Sequence, residues 1–164
     1  MKIRMTNIYK TTTVLAALLS VSWIPYSLPA FADELCGGLT VTIPGTDGND
    51  TLEGTAGDDV IAAGKGDDTI DATQGGNDVI CAGKGNDTVD TGAGNDTIYA
   101  GQGNDTVDAG DGNNTVLAGL GDDNVTTGAG DDTIEGGRGD DTIDAGAGTN
   151  TCSAGLDQTI QFSC

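Results

Sequence analysis

The chain has 164 residues, with 26 acidic against 6 basic side chains, 28 glycines, 4 cysteines and no histidine, for a formal charge of −20. That length allows at most one ordinary domain, and the negative excess argues against nucleic acid or an anionic membrane surface as partner. Without histidine the usual general base, the usual nucleophilic dyads and the imidazole ligands of zinc are missing, so hydrolytic enzymes are disfavoured and cations become the natural counterpart.

Residues 1–32 differ in kind from the rest. Lys2, Arg4 and Lys10 lead into the apolar run Thr13 to Ile24, and the segment ends in Ala30-Phe31-Ala32, the pattern of a secretory signal peptide cut after Ala32. The run is short for a membrane span. All 26 acidic residues follow Ala32, where only Lys65, Lys84 and Arg138 are basic. The expected product is an extracellular or periplasmic polyanion. Residues 33–44 form an expected N-terminal cap in which Leu39, Val41 and Ile43 alternate.

From Gly45 to Ser153 the chain divides into twelve units, eleven of nine residues and a fourth of ten, such as AGKGNDTVD at 82–90 and GGRGDDTID at 136–144. Repetition at a fixed period is the mark of a solenoid. Glycine recurs at the second and fourth places, where a tight turn needs positive φ or close backbone approach. Asp follows at the sixth place and an aliphatic residue at the eighth. Each unit therefore reads as a six-residue loop joined to a three-residue strand, with the eighth residue inward and the seventh and ninth outward. Two units make one turn of a flattened coil. Odd units stack in one parallel sheet and even units in the other, giving about six turns of an all-β solenoid. The inward row is Leu52, Ile61, Ile70, Ile80, Val89, Ile98, Val107, Val116, Val125, Ile134 and Ile143, closed by Cys152.

Stacking also aligns the sixth-position carboxylates. Two unit charges one strand spacing apart, about 4.8 Å, repel by roughly 3.5 kcal/mol at an effective dielectric of 20. A positive ion between them is required. Calcium is the hard cation suited to carboxylate and carbonyl oxygens in irregular coordination, whereas magnesium demands stricter octahedral geometry and ranks second. The expected ligands on the odd edge are Asp50, Asp68, Asp87, Asp105, Asp123 and Asp141, an unbroken column. On the even edge they are Asp59, Asp78, Asp96 and Asp132, with Asn114 and Asn150 as weaker neutral members, so the odd edge is expected to fill first.

These units resemble the nonapeptide G-G-x-G-x-D-x-U-x of the RTX, or hemolysin-type, calcium-binding repeats. The resemblance spans 109 residues. It implies a right-handed parallel β-roll with several calcium ions between successive loops on both edges, folding when calcium is supplied, and it carries the family's ligand onto the sixth-position Asp of each unit. The first place is usually Ala or Thr here, which mildly restricts the loop. An N-terminal leader also departs from the C-terminal export signal common in that family.

Other positions give weaker signals. The fifth-position Asp58, Asp67, Asp122, Asp131 and Asp140 read as solvated loop charge rather than further ligands. At the ninth place the odd face shows Glu53, Asp71, Asp90, Asp108, Thr126 and Asp144. The even face shows Ala62, Cys81, Tyr99, Leu117, Glu135 and Ser153 and is the better surface for self-association or a protein or matrix partner. Threonine rows at the seventh place suit exposed strand positions; a structural, adhesive or ice-binding surface is the alternative function they suggest.

Four cysteines in an exported chain suggest two disulfides. Cys81 and Cys152 lie about four strand spacings apart, roughly 19 Å, too far to be bonded. Cys36 with Cys81 and Cys152 with Cys164 is the expected pairing. The second would close a C-terminal cap, 154–164, in which Ile160, Phe162 and Cys164 share one face. Few residues lie outside leader and repeats, so no enzyme is expected.

Overall fold

One aliphatic residue per unit, flanked by outward-facing neighbours, sets a strand at a fixed interval along the chain. The computed structural model describes residues 35–153, 155 and 161–164, with the backbone alone at 161–163. The leader 1–32, Asp33, Glu34, Ile160 and the side chain of Phe162 lie outside the described residues.

Strands β1 (Leu35–Cys36) and β2 (Leu39–Thr40) form an antiparallel hairpin. Next, β3 (Ile43–Pro44) opens the even sheet and β4 (Thr51–Glu53) the odd one. The remaining even strands are β5 (Val60–Lys65), β7 (Val79–Lys84), β9 (Thr97–Gln102), β11 (Thr115–Leu120), β13 (Thr133–Arg138) and β15 (Thr151–Ser153). The odd ones are β6 (Thr69–Asp71), β8 (Thr88–Asp90), β10 (Thr106–Asp108), β12 (Asn124–Thr126), β14 (Thr142–Asp144) and β16 (Gln161–Ser163). Each set forms a seven-stranded parallel sheet in which neighbouring strands are two units apart in sequence. The result is the expected two-sheet solenoid of about six turns. Register is strict: Ile70 pairs Val89, Val89 pairs Val107, and Val107 pairs Val125.

The two sheets are not equivalent, contrary to the expectation of three-residue strands throughout. Odd strands have three residues, but β5, β7, β9, β11 and β13 have six, running on into the first three places of the following odd unit. There the second-place glycines Gly64, Gly83, Gly101, Gly119 and Gly137 stack in register with φ between +108° and +117°. A Cβ at Gly101 would meet the carbonyl oxygen of Gly83, so only glycine lets the corner pair this closely. Around the even-unit corner, pairing shrinks to the isolated bridges Ala93–Asp111 and Ala129–Ala147; Thr55 and Thr73 hold the second place in the first two even units and Gly92, Gly110, Gly128 and Gly146 in the other four.

The inward row is where alternation puts it, from Ile61 to Ile143 at no more than 1% exposure, with Leu52 and Cys152 half-buried at the ends. A second inward column was not foreseen. Ala63, Ala72, Ala82, Ala100, Ala109, Ala118 and Ala145 are fully buried and belong to the same core. The first place of a unit lies two residues beyond the eighth of the one before, so it faces inward too. Alanine there fills the narrow interior and is not merely a restricted glycine.

Both disulfides form as expected, Cys36–Cys81 and Cys152–Cys164, with Cα separations of 5.8 and 6.4 Å. The first brings the β1–β2 hairpin onto the outward side of the even sheet. Strand β1 packs against β5 and β7, and a Cβ at Gly37 would sit 3.2 Å from Val79 and 3.3 Å from Tyr99. Part of the even face read as a free association surface is therefore covered by the chain's own hairpin. The second disulfide fastens the segment in which β16 adds to β14.

Candidate metal sites along the loop edges

From the second loop of each edge onward, the sixth-position side chain is held by the loop stacked before it. The backbone N–H of Asp50 donates to Oδ1 of Asp68, Asp68 to Asp87, Asp87 to Asp105, Asp105 to Asp123 and Asp123 to Asp141, all at 2.8–3.0 Å. The even edge repeats the ladder from Asp59 through Asp78, Asp96, Asn114 and Asp132 to Asn150. The sequence thus places all twelve residues in two continuous columns, and those from Asp68 to Asp141 and from Asp59 to Asp132 are buried.

With Oδ1 committed, the second oxygen decides what the column can do. Oδ2 of Asp68, Asp87, Asp105, Asp123 and Asp141 on the odd edge, and of Asp78 and Asp96 on the even edge, is buried without any hydrogen-bond partner. A buried charged oxygen with no donor is strongly unfavourable. Accordingly, burial pushes the Asp78 and Asp87 carboxyls up to about 6 and that of Asp123 to about 7; the N–H on Oδ1 opposes this and like charges above and below add to it. Asp68 and Asp105 are raised by burial as well.

No three acidic side chains converge on one point among the described residues. The carboxylates are strung one per loop, so a cation between loops would meet few carboxylates and would draw its remaining oxygen ligands from the loop backbone. That donor set is all oxygen, which suits calcium.

The remaining column members already have partners on the second atom. Oδ2 of Asp50 accepts from the N–H and hydroxyl of Thr46 at 2.6 and 2.9 Å, and Asp59 does the same with Thr55 at 2.6 and 3.0 Å. Thr127 donates its hydroxyl to Oδ2 of Asp132 at 2.7 Å. The Asn114 amide donates to the carbonyls of Ala109 and Gly110 at 3.0 and 3.2 Å, and that of Asn150 to Ala145 at 2.7 Å. These threonines were not singled out from the sequence. Their signal was Thr in the first or second place of a unit where Gly or Ala is usual.

The fifth place is also more than solvated charge. Its side-chain oxygen accepts the N–H of the fifth residue one turn later, from Asn49 to Asp67, Asp67 to Asn86, Asn86 to Asn104 and Asn104 to Asp122, and likewise on the even edge from Asp58 through Asn77, Asn95 and Asn113 to Asp131. Asn and Asp both supply that oxygen, which accounts for their interchange. The Asn77 N–H holds the exposed Asp58 carboxyl below the usual carboxylate range.

The family model described as RTX calcium-binding nonapeptide repeat (4 copies) matches residues 44–79, 73–89, 82–116, 90–125 and 117–152. No curated protein and no solved structure matches the chain.

Proposed function

Because the chain belongs to the RTX calcium-binding nonapeptide repeat family, we propose that it is an exported calcium-binding protein whose β-roll folds around Ca2+ held between stacked loops. The observation that carries this reading is the set of seven buried, unpartnered Oδ2 atoms. When bound, the ion supplies positive charge to carboxylates that otherwise face one another across a strand spacing.

The chain's own residues prepare those places. The N–H donors of the preceding loop fix each carboxylate by Oδ1 and leave Oδ2 turned to the interior. Glycines at the second and fourth places let successive loops approach closely enough to share a ligand. Asp68, Asp87, Asp105, Asp123, Asp141, Asp78 and Asp96 are the principal ligands in this reading, and loop carbonyls complete the shell. Asp50, Asp59 and Asp132 contribute less because threonine already occupies their second oxygen.

Export is supported by the leader pattern of 1–32 and by two disulfides, which persist in oxidising compartments. We assign residues 33–44 and 154–164 as caps on a 45–153 repeat domain and give the chain no catalytic role. Circular dichroism of the disulfide-bonded chain under calcium, magnesium and chelator tests the reading. Strand signal induced by calcium and not by equal magnesium is expected; an unchanged spectrum would refute it.

A further inference from the structure

The five column members that are not orphaned share a chemistry. A cation between loops does two things: it neutralises a carboxylate and it engages loop carbonyls. Asn114 and Asn150 carry no charge to neutralise, and their amide N–H groups bond the carbonyls of residues 109, 110 and 145. Thr127 supplies a donor to Oδ2 of Asp132, and Asp132 itself lies between two neutral amides, since Asn114 donates to its Oδ1 and its own N–H donates to Asn150. No like charge adjoins it in the column. Thr46 and Thr55 do the same for Asp50 and Asp59, the first loop of each edge, where a cation would have only one neighbouring loop.

We infer that these side chains are built-in replacements for the ion, so that calcium is confined to the odd edge from Asp68 to Asp141 and to the Asp78–Asp96 stretch of the even edge. The C-terminal half of the even edge, from Asn114 to Asn150, is closed by hydrogen bonds alone. The two edges of one coil thus differ in kind: one depends on metal along its length, the other only in its first half. This inference rests on the calcium reading above and adds to it where the ions stop.

Crystals of the disulfide-bonded chain grown with calcium, measured by anomalous diffraction, decide the matter without any substitution. Ions are expected beside the seven orphaned carboxylates, and none between Asn114 and Asp132 or between Asp132 and Asn150. An ion at either of those two places overturns the inference while leaving calcium binding intact. A calcium-saturated crystal with no ions at all would instead overturn the calcium reading. As a solution test, Asn114→Asp restores a carboxylate beside the carbonyls of Ala109 and Gly110, and equilibrium dialysis should find about one more calcium per chain. An unchanged stoichiometry in a folded variant counts against the inference, and if the variant does not fold the crystal measurement stands alone.

Discussion

The backbone N–H of Asp87 donates to Oδ1 of Asp105 at 2.9 Å, while Oδ2 of the same Asp105 is buried with no partner. One carboxylate thus has two tasks, aligning the loops through one oxygen and offering the other to a cation. The tasks can be separated. Asp105→Asn keeps an acceptor for Asp87, whereas Asp105→Ala leaves a buried N–H unpaired at about 1–3 kcal/mol. Both variants should bind less calcium at that loop, and the alanine variant should need at least about five-fold more calcium to fold than the asparagine one. Calcium titration followed by circular dichroism measures this; equal midpoints would show that the Oδ1 bond does not contribute.

Acid should partly replace calcium. The metal-free coil holds Asp78 and Asp87 at about 6 and Asp123 at about 7, above the ordinary 3.8. A carboxyl raised in the folded state favours folding while it is protonated, so its contribution is full below about pH 4 and is lost as pH rises through 6 to 7. For Asp87 the loss by neutral pH is about 3 kcal/mol. In chelator, the strand signal should therefore grow as pH falls from 7 to 4, and the calcium midpoint should rise over the same range as protons compete. A metal-free signal that weakens on acidification would contradict the burial of these groups.

Glycine should matter at the fourth place wherever a loop stacks on the one before it, and not in the first loop, which has none. Gly103 has φ +130°, and a Cβ there would land on the Gly85 carbonyl oxygen. At Gly48 the nearest atom to a Cβ is the Thr46 hydroxyl at 4.0 Å. Gly103→Ala should lower the melting temperature of the calcium-loaded protein by many degrees, and Gly48→Ala should leave it nearly unchanged. Thermal melts of the two variants side by side give the comparison.

The fifth-place ladder makes a smaller claim. Asn95 Oδ1 accepts the N–H of Asn113 at 2.8 Å on the surface. Asn95→Asp preserves that acceptor, and Asn95→Ala removes it at a cost of about 0.5–1.5 kcal/mol. Hydrogen exchange at the Asn113 amide should accelerate in the alanine variant only.

The period of nine made the coil legible because every unit repeats one alternation, so the inward row from Ile61 to Ile143 and the two aspartate columns could be read directly. The disulfide pairing followed from the strand spacing between Cys81 and Cys152. What escaped were relations between units. Ala63 and its counterparts belong to the core only when alternation is continued across a unit boundary. The partners of Thr127 and Asn114 depend on which atoms one stacked loop presents to itself, and the six-residue strands depend on glycine corners pairing with their copies a turn away. The position of the hairpin over Tyr99 depends on where the Cys36–Cys81 bond draws it.

The central claim is that divalent charge between the aspartate columns is what folds the coil. Small-angle scattering of the disulfide-bonded chain at neutral pH, with calcium and then with excess chelator, tests it most directly. A compact rod is expected with calcium and an expanded chain without it, the rod being regained on adding calcium back. The same compact rod in chelator would contradict it.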